Sequence, residues 1–281
     1  MQTTTNEKSY IDLLDYILKA GTPQQDRTGV GTKSVCGGML RFSLEDNTLP
    51  LLTTKKMFTK GIIEELLFFI RGETNSKKLE EKGVNIWKGN TSREFLDKRG
   101  LSHYPEGEMG PMYGHLWRNF HGVDQLKNCL HLLKNDPTSR RIMVTAYDPS
   151  LSEKCVLDPC HLFFQFHVEN NKLSLQWYQR SVDMFLGLPF NICSYAILVH
   201  MFAKATGLQP GDLIFNGGNM HIYNNHIEQC ELQIKREIRI PPQIYVDKEI
   251  NSIEDMEKLC VEDFRIVGYN PHSAIKAEMA V

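Results

Sequence analysis

The segment that most restricts how this chain can fold is residues 192–205, ICSYAILVHMFAKA. It is nearly all apolar and is long enough for about four helical turns. A helix that is apolar on most of its faces is stable only where most of those faces are buried. Gly207 predicts the end of this helix. We therefore expect a long central helix with other layers packed around it.

Strand patterns on both sides of that segment predict a β-sheet beside it. Residues 161–168 and 172–179 carry strand patterns joined by the polar turn ENN, and residues 141–147 are similar. Short strands are expected at 213–215 and 221–223, around a Gly-Gly bend. Apolar spacing and helix-ending glycines predict further helices at residues 10–18, 60–71, 74–83, 126–133 and 227–234.

The chain shows no internal repeat and no linker in its 281 residues, which favours a single domain. The predicted fold class is α+β, with one domain over residues 1–281 in which a mixed β-sheet packs on the central helix. Residues 1–6 are polar and are expected to be frayed.

The composition argues against several classes of function. A net charge of −2 provides no global attraction to nucleic acid or to a membrane. Apolar runs such as LLFFI are shorter than the ~18 residues of a membrane helix, and no signal-peptide pattern is evident. Seven cysteines without paired spacing predict reduced thiols, no metal site and a cytoplasmic location, with nuclear and viral-host contexts left open.

Polar residues of specific chemistry are concentrated in residues 157–191, LDPCHLFFQFHVENNKLSLQWYQRSVDMFLGLPFN. Most free cysteines are buried and inert. Cys160 differs because Arg180 and Ser181, two candidate anion-binding residues, lie in the same stretch, and cationic neighbours favour a nucleophilic thiolate. His161 is adjacent on a predicted strand and points to the other face, so we do not predict it to be the base.

Three further arginines are candidates for holding an anionic substrate. Arg27 opens the glycine-containing stretch RTGVGT, and Arg140 and Arg141 are adjacent. The planar guanidinium matches the oxygens of a phosphate. On the residues alone, an adjacent arginine pair is more often a solvated face, and no Walker motif supports a triphosphate site.

Ten motifs, taken in order, make the chain similar to a known family. They are DRTGVGT, LPLLTTKK, EELLFFIRGETN, NIWKGN, GPMYGHLWR, SRRIMVTAYDP, PCHLFFQF, QRSVDMFLGLPFNI, HIYNNHIE and GYNPHSAIKAEMAV. The chain resembles thymidylate synthase over nearly its whole length from about residue 26. The resemblance implies a homodimer whose sheet faces form the subunit interface. It also implies conversion of dUMP to dTMP, with 5,10-methylenetetrahydrofolate as the donor of both carbon and hydride.

The resemblance implies catalytic roles for Cys160, Glu65, Tyr113, Asn191 and Asp183. A thiolate suits addition to C6 of a uracil ring, which makes C5 able to attack a one-carbon electrophile. Glu65 lies in the apolar run EELLFFI, where burial raises a carboxyl pKa and favours a role in proton transfer. The implied dUMP-binding residues are Arg27, Arg140, Arg141, Cys160, His161, Gln179, Arg180, Ser181, Val182, Asp183, Asn191, His221, Ile222 and Tyr223.

Asn191 has two interpretations. A carboxamide can accept from uracil N3–H and donate to O4 at once. Asparagine is also a common N-cap, and a helix is predicted to begin at Ile192. On the residues alone the cap is the commoner role, whereas the resemblance favours recognition of the base.

For the folate the resemblance implies a wall of residues and a closing tail. The implied contacts are Ile86, Trp87, Asn90, Asp183, Gly187, Phe190 and Ala280. Residues 275–281 resemble a mobile C-terminal segment that closes over the site and excludes water. Arg140 and Arg141 resemble a pair that reaches into the partner subunit's site.

Three positions depart from the common family pattern. They are Asp158 before the Pro-Cys pair, Asn219 where aspartate is usual, and Thr59 where an aromatic residue is common. The first two lie near the proposed site and keep a dUMP hydroxymethylase of the same superfamily open as an alternative, whereas Asn191 disfavours a dCMP version. A non-catalytic nucleotide- or RNA-binding relative is a further alternative, and no signature loop supports a Cys/His hydrolase.

Overall fold

A six-stranded mixed sheet forms the largest layer of the protein. The computed structural model describes residues 7–280. The sheet order is β1-β2-β6-β5-β4-β3, in which β5 and β6 are parallel and the other neighbours are antiparallel. Its strands are β1 (Thr22–Gln24), β2 (Thr32–Ser43), β3 (Met143–Thr145), β4 (His161–Glu169), β5 (Lys172–Asp183) and β6 (Gln209–Tyr223).

The prediction of two short strands around a Gly-Gly bend is wrong, because β6 runs straight through Gly217 and Gly218. Their role is close packing. A Cβ on Gly218 would lie 2.8 Å from the carbonyl oxygen of Arg180 on the neighbouring strand. Glycine in a strand therefore marks a close approach of two backbones here, not a turn.

The expected central helix is α7 (Gly187–Thr206), which connects the parallel strands β5 and β6. Its residues from Ile192 to Ala203 are buried at 8% exposure or less. Its length and hydropathy alone would allow it to cross a membrane, but 78% of its most apolar window is buried inside the protein. Gly207 ends it with a φ of 72°. The helix begins at Gly187 rather than at residue 192.

The remaining elements surround the sheet and α7. Residues 74–83 contain only the short α3, and the strand predicted over residues 141–147 is limited to β3. The other helices are α1 (Glu7–Ala20), α2 (Thr59–Ile70), α3 (Lys77–Glu80), α4 (Arg93–Lys98), α5 (Gly114–Arg118), α6 (Gln125–Asn135), α8 (Ile227–Ile234) and α9 (Ile253–Glu257), and a two-stranded sheet contains β7 (Gln243–Val246) and β8 (Phe264–Val267).

The sheet face opposite the core carries exposed apolar side chains. Phe163, Tyr178, Asn216 and Met39 form one row across β4, β5, β6 and β2. Met39 is 61% exposed and Phe163 is 37% exposed. This is the face for which the resemblance implies a subunit interface.

Candidate active site

Cys160 lies at a corner that a single arginine holds in place. The backbone N–H of Arg180 donates to the carbonyl of Cys160 (2.8 Å). Its side chain donates from Nε to the carbonyl of Pro159 (2.9 Å) and from Nη2 to that of Asp158 (2.7 Å). Three consecutive carbonyls are therefore fixed by one residue of β5, and β4 begins directly afterwards.

The Cys160 thiol is affected by opposing influences. Burial raises its pKa, and the neighbouring Arg180 guanidinium, the Tyr113 hydroxyl and Arg27 lower it. The carboxylate of Asp158 acts in the same direction as burial. Asp158 also accepts a hydrogen bond from the Ser152 hydroxyl. Burial outweighs the other influences, so the pKa of the Cys160 thiol lies above its ordinary value, and two arginines and a hydroxyl limit that rise.

Tyr113 is at the centre of a cluster that also contains Cys160, His161, Trp87 and Glu65. Its backbone conformation is strained, with φ 38° and ψ −99°. Its hydroxyl accepts the backbone N–H of Cys160 (2.8 Å), and its ring is stacked on His161 at 4.1 Å between centroids. A Cβ on Gly114 would lie 2.6 Å from the carbonyl oxygen of Phe69, so only glycine fits there. Such strain persists where the surroundings over-determine the conformation.

Glu65 is buried on α2 and is joined to Tyr113 through Trp87. The indole Nε1–H of Trp87 donates to the Glu65 carboxyl (2.7 Å), and the Trp87 ring lies 6.2 Å from that of Tyr113. Burial raises the pKa of Glu65 to about 7, and the Trp87 hydrogen bond opposes that rise. A carboxyl with this pKa can both give and take a proton near neutral pH.

The ring of His161 is buried and contacts the rings of Tyr113 and Tyr195. Burial lowers its pKa to about 3. Its Nδ1 lies 2.8 Å from the Tyr195 hydroxyl of α7. A ring that stays neutral throughout the physiological range does not exchange protons readily, although it can donate or accept a hydrogen bond.

The interpretation of Asn191 as a helix cap is wrong. The carboxylate Oδ1 of Asp183 accepts from the backbone N–H groups of Phe185 (2.9 Å) and Leu186 (3.1 Å), at the start of α7. Asn191 therefore lies inside the helix, one turn after Gly187 and on the same face. Within residues 7–280 its carboxamide makes no hydrogen bond, which leaves both the carbonyl oxygen and the NH2 group for a ligand.

A second group of polar residues lies where β5 and β6 end. His221 is directly opposite Asp183 in the parallel register, and its ring contacts Tyr223 at 5.1 Å. His221 Nδ1 lies 2.9 Å from Asn219 Oδ1, while Asn219 Nδ2 donates to Gln24 (3.4 Å). The predicted placement of His221 and Tyr223 on one strand face is confirmed.

The other predicted dUMP- and folate-binding residues differ in which of their groups a ligand can reach. Val182 and Ile222 are fully buried, so only their backbone groups remain for a ligand. Gln179 is also buried and donates to the carbonyl of Ser181 (3.1 Å). Of the predicted folate contacts, Asn90 is buried, whereas the half-buried ones are Ile86, Trp87, Gly187, Phe190 and Ala280.

Arg140 and Arg141 lie apart from this cluster. Both are exposed, and the carbonyl of Arg140 accepts from the side chain of Gln165. Gln165 is four residues from His161 along β4, which is about 13 Å in a strand. The arginines that lower the Cys160 pKa are Arg180 and Arg27.

Sequence reasoning missed two buried residues around the site, Tyr195 and His226. His226 is fully buried, its Nε2 lies 2.7 Å from the carbonyl of Glu278, and its ring is next to Phe185 and Tyr223. The C-terminal segment is thus held beside the site at Glu278. The only sequence signal for His226 was its position in the HIYNNHIE motif. In residues 7–280 no group of three or more His, Cys, Asp and Glu side chains forms a metal centre.

An α+β fold with a thiol, a phenol and a buried carboxyl grouped at one site is that of an enzyme with a candidate cysteine nucleophile. The family model for thymidylate synthase matches residues 8–281, and the chain belongs to this family.

Three similar proteins carry the same name in whole or in part. Thymidylate synthase of Homo sapiens is 48% identical, over 98% of this chain and 91% of its own length. Thymidylate synthase 1/2 of Encephalitozoon cuniculi is 46% identical, over 98% and 97%. The bifunctional dihydrofolate reductase-thymidylate synthase of Leishmania major is 47% identical over 98% of the chain, which spans 55% of that relative's length. Thymidylate synthases are methyltransferases that transfer a one-carbon group.

Proposed function

We propose that this chain converts dUMP to dTMP, with 5,10-methylenetetrahydrofolate as the source of carbon and hydride. The observation that carries the proposal is the convergence of groups on Tyr113. Its hydroxyl accepts from Cys160, its ring is stacked on His161, and Trp87 links it to the buried acid Glu65. A thiol, a neutral imidazole and a carboxyl of near-neutral pKa grouped around this phenol suit attack on C6 with proton transfer nearby.

The chain's own residues divide the work on dUMP. Arg27 and Arg180 bind the phosphate and favour the thiolate of Cys160, which adds to C6 of the uracil ring. The carboxamide of Asn191 accepts a hydrogen bond from N3–H of the uracil and donates one to O4. Glu65 exchanges protons during the reaction, and Tyr113 is placed, with water, near the proton that leaves C5. His221 accepts a hydrogen bond from the sugar hydroxyl. The pyrimidine and sugar site is completed by His161, Gln179, Ser181, Val182, Ile222 and Tyr223.

The folate, when bound, supplies the one-carbon unit and the hydride. Asp183 uses Oδ1 to accept from the backbone N–H groups of Phe185 and Leu186 in the turn before α7, so Oδ2 is the oxygen that we assign to the pterin N–H edge. Trp87 and Phe190 are aromatic walls for it, beside Ile86, Asn90 and Gly187. Residues 275–281, including Ala280, exclude water from the site, which favours hydride transfer over hydroxymethylation.

We also propose a homodimer formed through the sheet face that carries Met39 and Phe163, in which Arg140 and Arg141 enter the partner subunit's site. Their exposure and their distance from Cys160 along β4 support this. We expect the protein to act in the cytoplasm.

Mixing two inactive variants tests the donation of arginines. If the pair acts across the interface, Cys160→Ser subunits mixed with Arg140→Glu/Arg141→Glu subunits regain up to about a quarter of wild-type activity, because half of the dimers contain one complete site. If the pair acts within its own subunit, the mixture stays inactive.

The function itself is tested by incubating the protein with dUMP and methylenetetrahydrofolate. Dihydrofolate is followed by absorbance and the nucleotide is identified by mass. dTMP with equimolar dihydrofolate is the expected result. Hydroxymethyl-dUMP without dihydrofolate would identify the hydroxymethylase instead, and dUMP binding without any product would identify a non-catalytic relative.

A further inference from the structure

Tyr195 lies in the middle of the buried helix α7, where the apolar pattern of the sequence predicts only core residues. Its ring is stacked on Trp177 at 5.0 Å and contacts Phe164 and Trp117. Those contacts account for the aromatic ring. They do not account for the hydroxyl, because a phenylalanine would pack in the same way without burying a polar atom.

The hydroxyl of Tyr195 has one partner within residues 7–280, which is His161 Nδ1 at 2.8 Å. If Nδ1 carried the ring hydrogen, the hydroxyl hydrogen would be buried without an acceptor, at a substantial cost. Tyr195 therefore donates and Nδ1 accepts. The single hydrogen of the neutral imidazole is then on Nε2.

The orientation of His161 is passed to Tyr113 by direct ring contact. The two rings are nearly parallel, with an interplanar angle of 17°. Tyr113 has a backbone φ of 38°, so it depends on its neighbours to keep this conformation. Its hydroxyl also accepts the Cys160 N–H. A rotation of the imidazole would thus disturb both the phenol and the corner that carries the thiol.

We propose that Tyr195 is a positioning residue for the reaction, because its hydroxyl sets the tautomer and the orientation of His161 and thereby holds Tyr113. The inference rests on the proposed function only for its effect on turnover. The tautomer itself is independent of it.

Tyr195→Phe removes only the hydroxyl and keeps the ring. We expect kcat to fall about tenfold while KM for dUMP changes less than about twofold, since positioning acts on the reaction rather than on binding. In ¹⁵N-histidine-labelled protein, wild-type His161 should show the Nε2–H tautomer and the variant a mixture. His161→Gln identifies the resonances.

The matched control is Tyr269→Phe, which removes another hydroxyl bonded to the backbone, to Leu52 and Met57. It should lower the melting temperature without changing kcat. In Tyr113→Phe/Tyr195→Phe, the second substitution should cost much less than it does alone.

An unchanged His161 tautomer in Tyr195→Phe, or a kcat that matches the Tyr269→Phe control, would overturn the proposal. If Tyr195→Phe fails to fold, His161→Gln and His161→Leu decide. Gln retains an acceptor for the Tyr195 hydroxyl and should keep more kcat than Leu, and equal losses would overturn the proposal. A wild-type protein that makes no dTMP would overturn the proposed function, whereas the tautomer would still report on Tyr195.

Discussion

Cys160 and Cys193 lie in two regions that act differently on a thiol, although the pKa of both is raised. Cys193 is in the middle of α7 at 1% exposure, and burial alone raises its pKa. Burial also raises the pKa of Cys160, but there Arg180, the Tyr113 hydroxyl and Arg27 act against it. At Cys193 burial acts alone, whereas at Cys160 charged and polar groups limit the rise that burial causes. Groups from other parts of the chain are needed to make a cysteine reactive.

The largest expected effect is the difference between serine substitutions at Cys160 and at Cys193. We expect Cys160→Ser to lower kcat by a factor of about 10⁴ or more, because an alcohol is a far weaker nucleophile than a thiolate. Cys193→Ser should instead lower the free energy of unfolding by about 1–3 kcal/mol, since it places a hydroxyl in an apolar helix core. Steady-state assays and urea unfolding measure both. Equal losses of kcat in the two folded variants would contradict the comparison.

Asn191 and Ser194 extend the comparison along α7, from its substrate end into its core. Asn191→Asp should lower kcat/KM for dUMP by at least about 10²-fold, because a carboxylate cannot donate to O4 of uracil. Ser194→Ala, one turn further into the buried part, should leave kcat/KM nearly unchanged. Activity of Asn191→Asp equal to that of the control would remove Asn191 from base recognition.

Glu65 is as buried as the core but carries a carboxyl with a pKa of about 7. Glu65→Gln should lower kcat about 10²-fold. In the wild type kcat should fall above pH 7, as Glu65 loses the proton that it donates. Glu64→Gln, on the same helix, should keep most of the activity and the same pH profile. Loss of activity in Glu64→Gln alone would exchange the roles of the two acids.

The same carboxyl should make stability depend on pH. The pKa of Glu65 is raised by folding, so its contribution to stability is fully present below pH 4.5 and is lost as the pH rises through 7. The rise from 4.5 to about 7 corresponds to on the order of 3 kcal/mol. Between pH 5 and pH 9 the wild type should therefore lose more free energy of unfolding than Glu65→Gln. Parallel curves would show that Glu65 is charged in the folded state.

The smallest expected effect is at the sugar end of the site. Burial lowers the pKa of His221, and the charges that face it, Asp183 and Asp26, act against this. In Asn219→Asp a third carboxylate should raise that pKa and change KM for dUMP about twofold to fivefold, with a new pH dependence between pH 6 and 8. A KM that remains independent of pH would show that Asn219 is a tolerated substitution.

Two wrong predictions have the same origin. The sequence predicts that the central helix begins at Ile192, yet α7 begins at Gly187 with Pro189 in its first turn, where proline loses no hydrogen bond. Gly217 and Gly218 suggested a bend, yet they allow β6 to approach β5. Both residue types have more than one use, and the neighbouring segment decides which one applies.

The central helix, most of the strands and the family could be predicted from the sequence, and Cys160 could be selected as a candidate, because periodicity, composition and motif order can be read along the chain. Which side chains contact one another depends on the packing of distant segments. Cys160 meets Tyr113, Glu65 meets Trp87, His161 meets Tyr195 and His226 meets Glu278 through contacts between distant segments. A hydrogen bond depends on distance and direction within fractions of an ångström, and only the packing of helices on the sheet sets those.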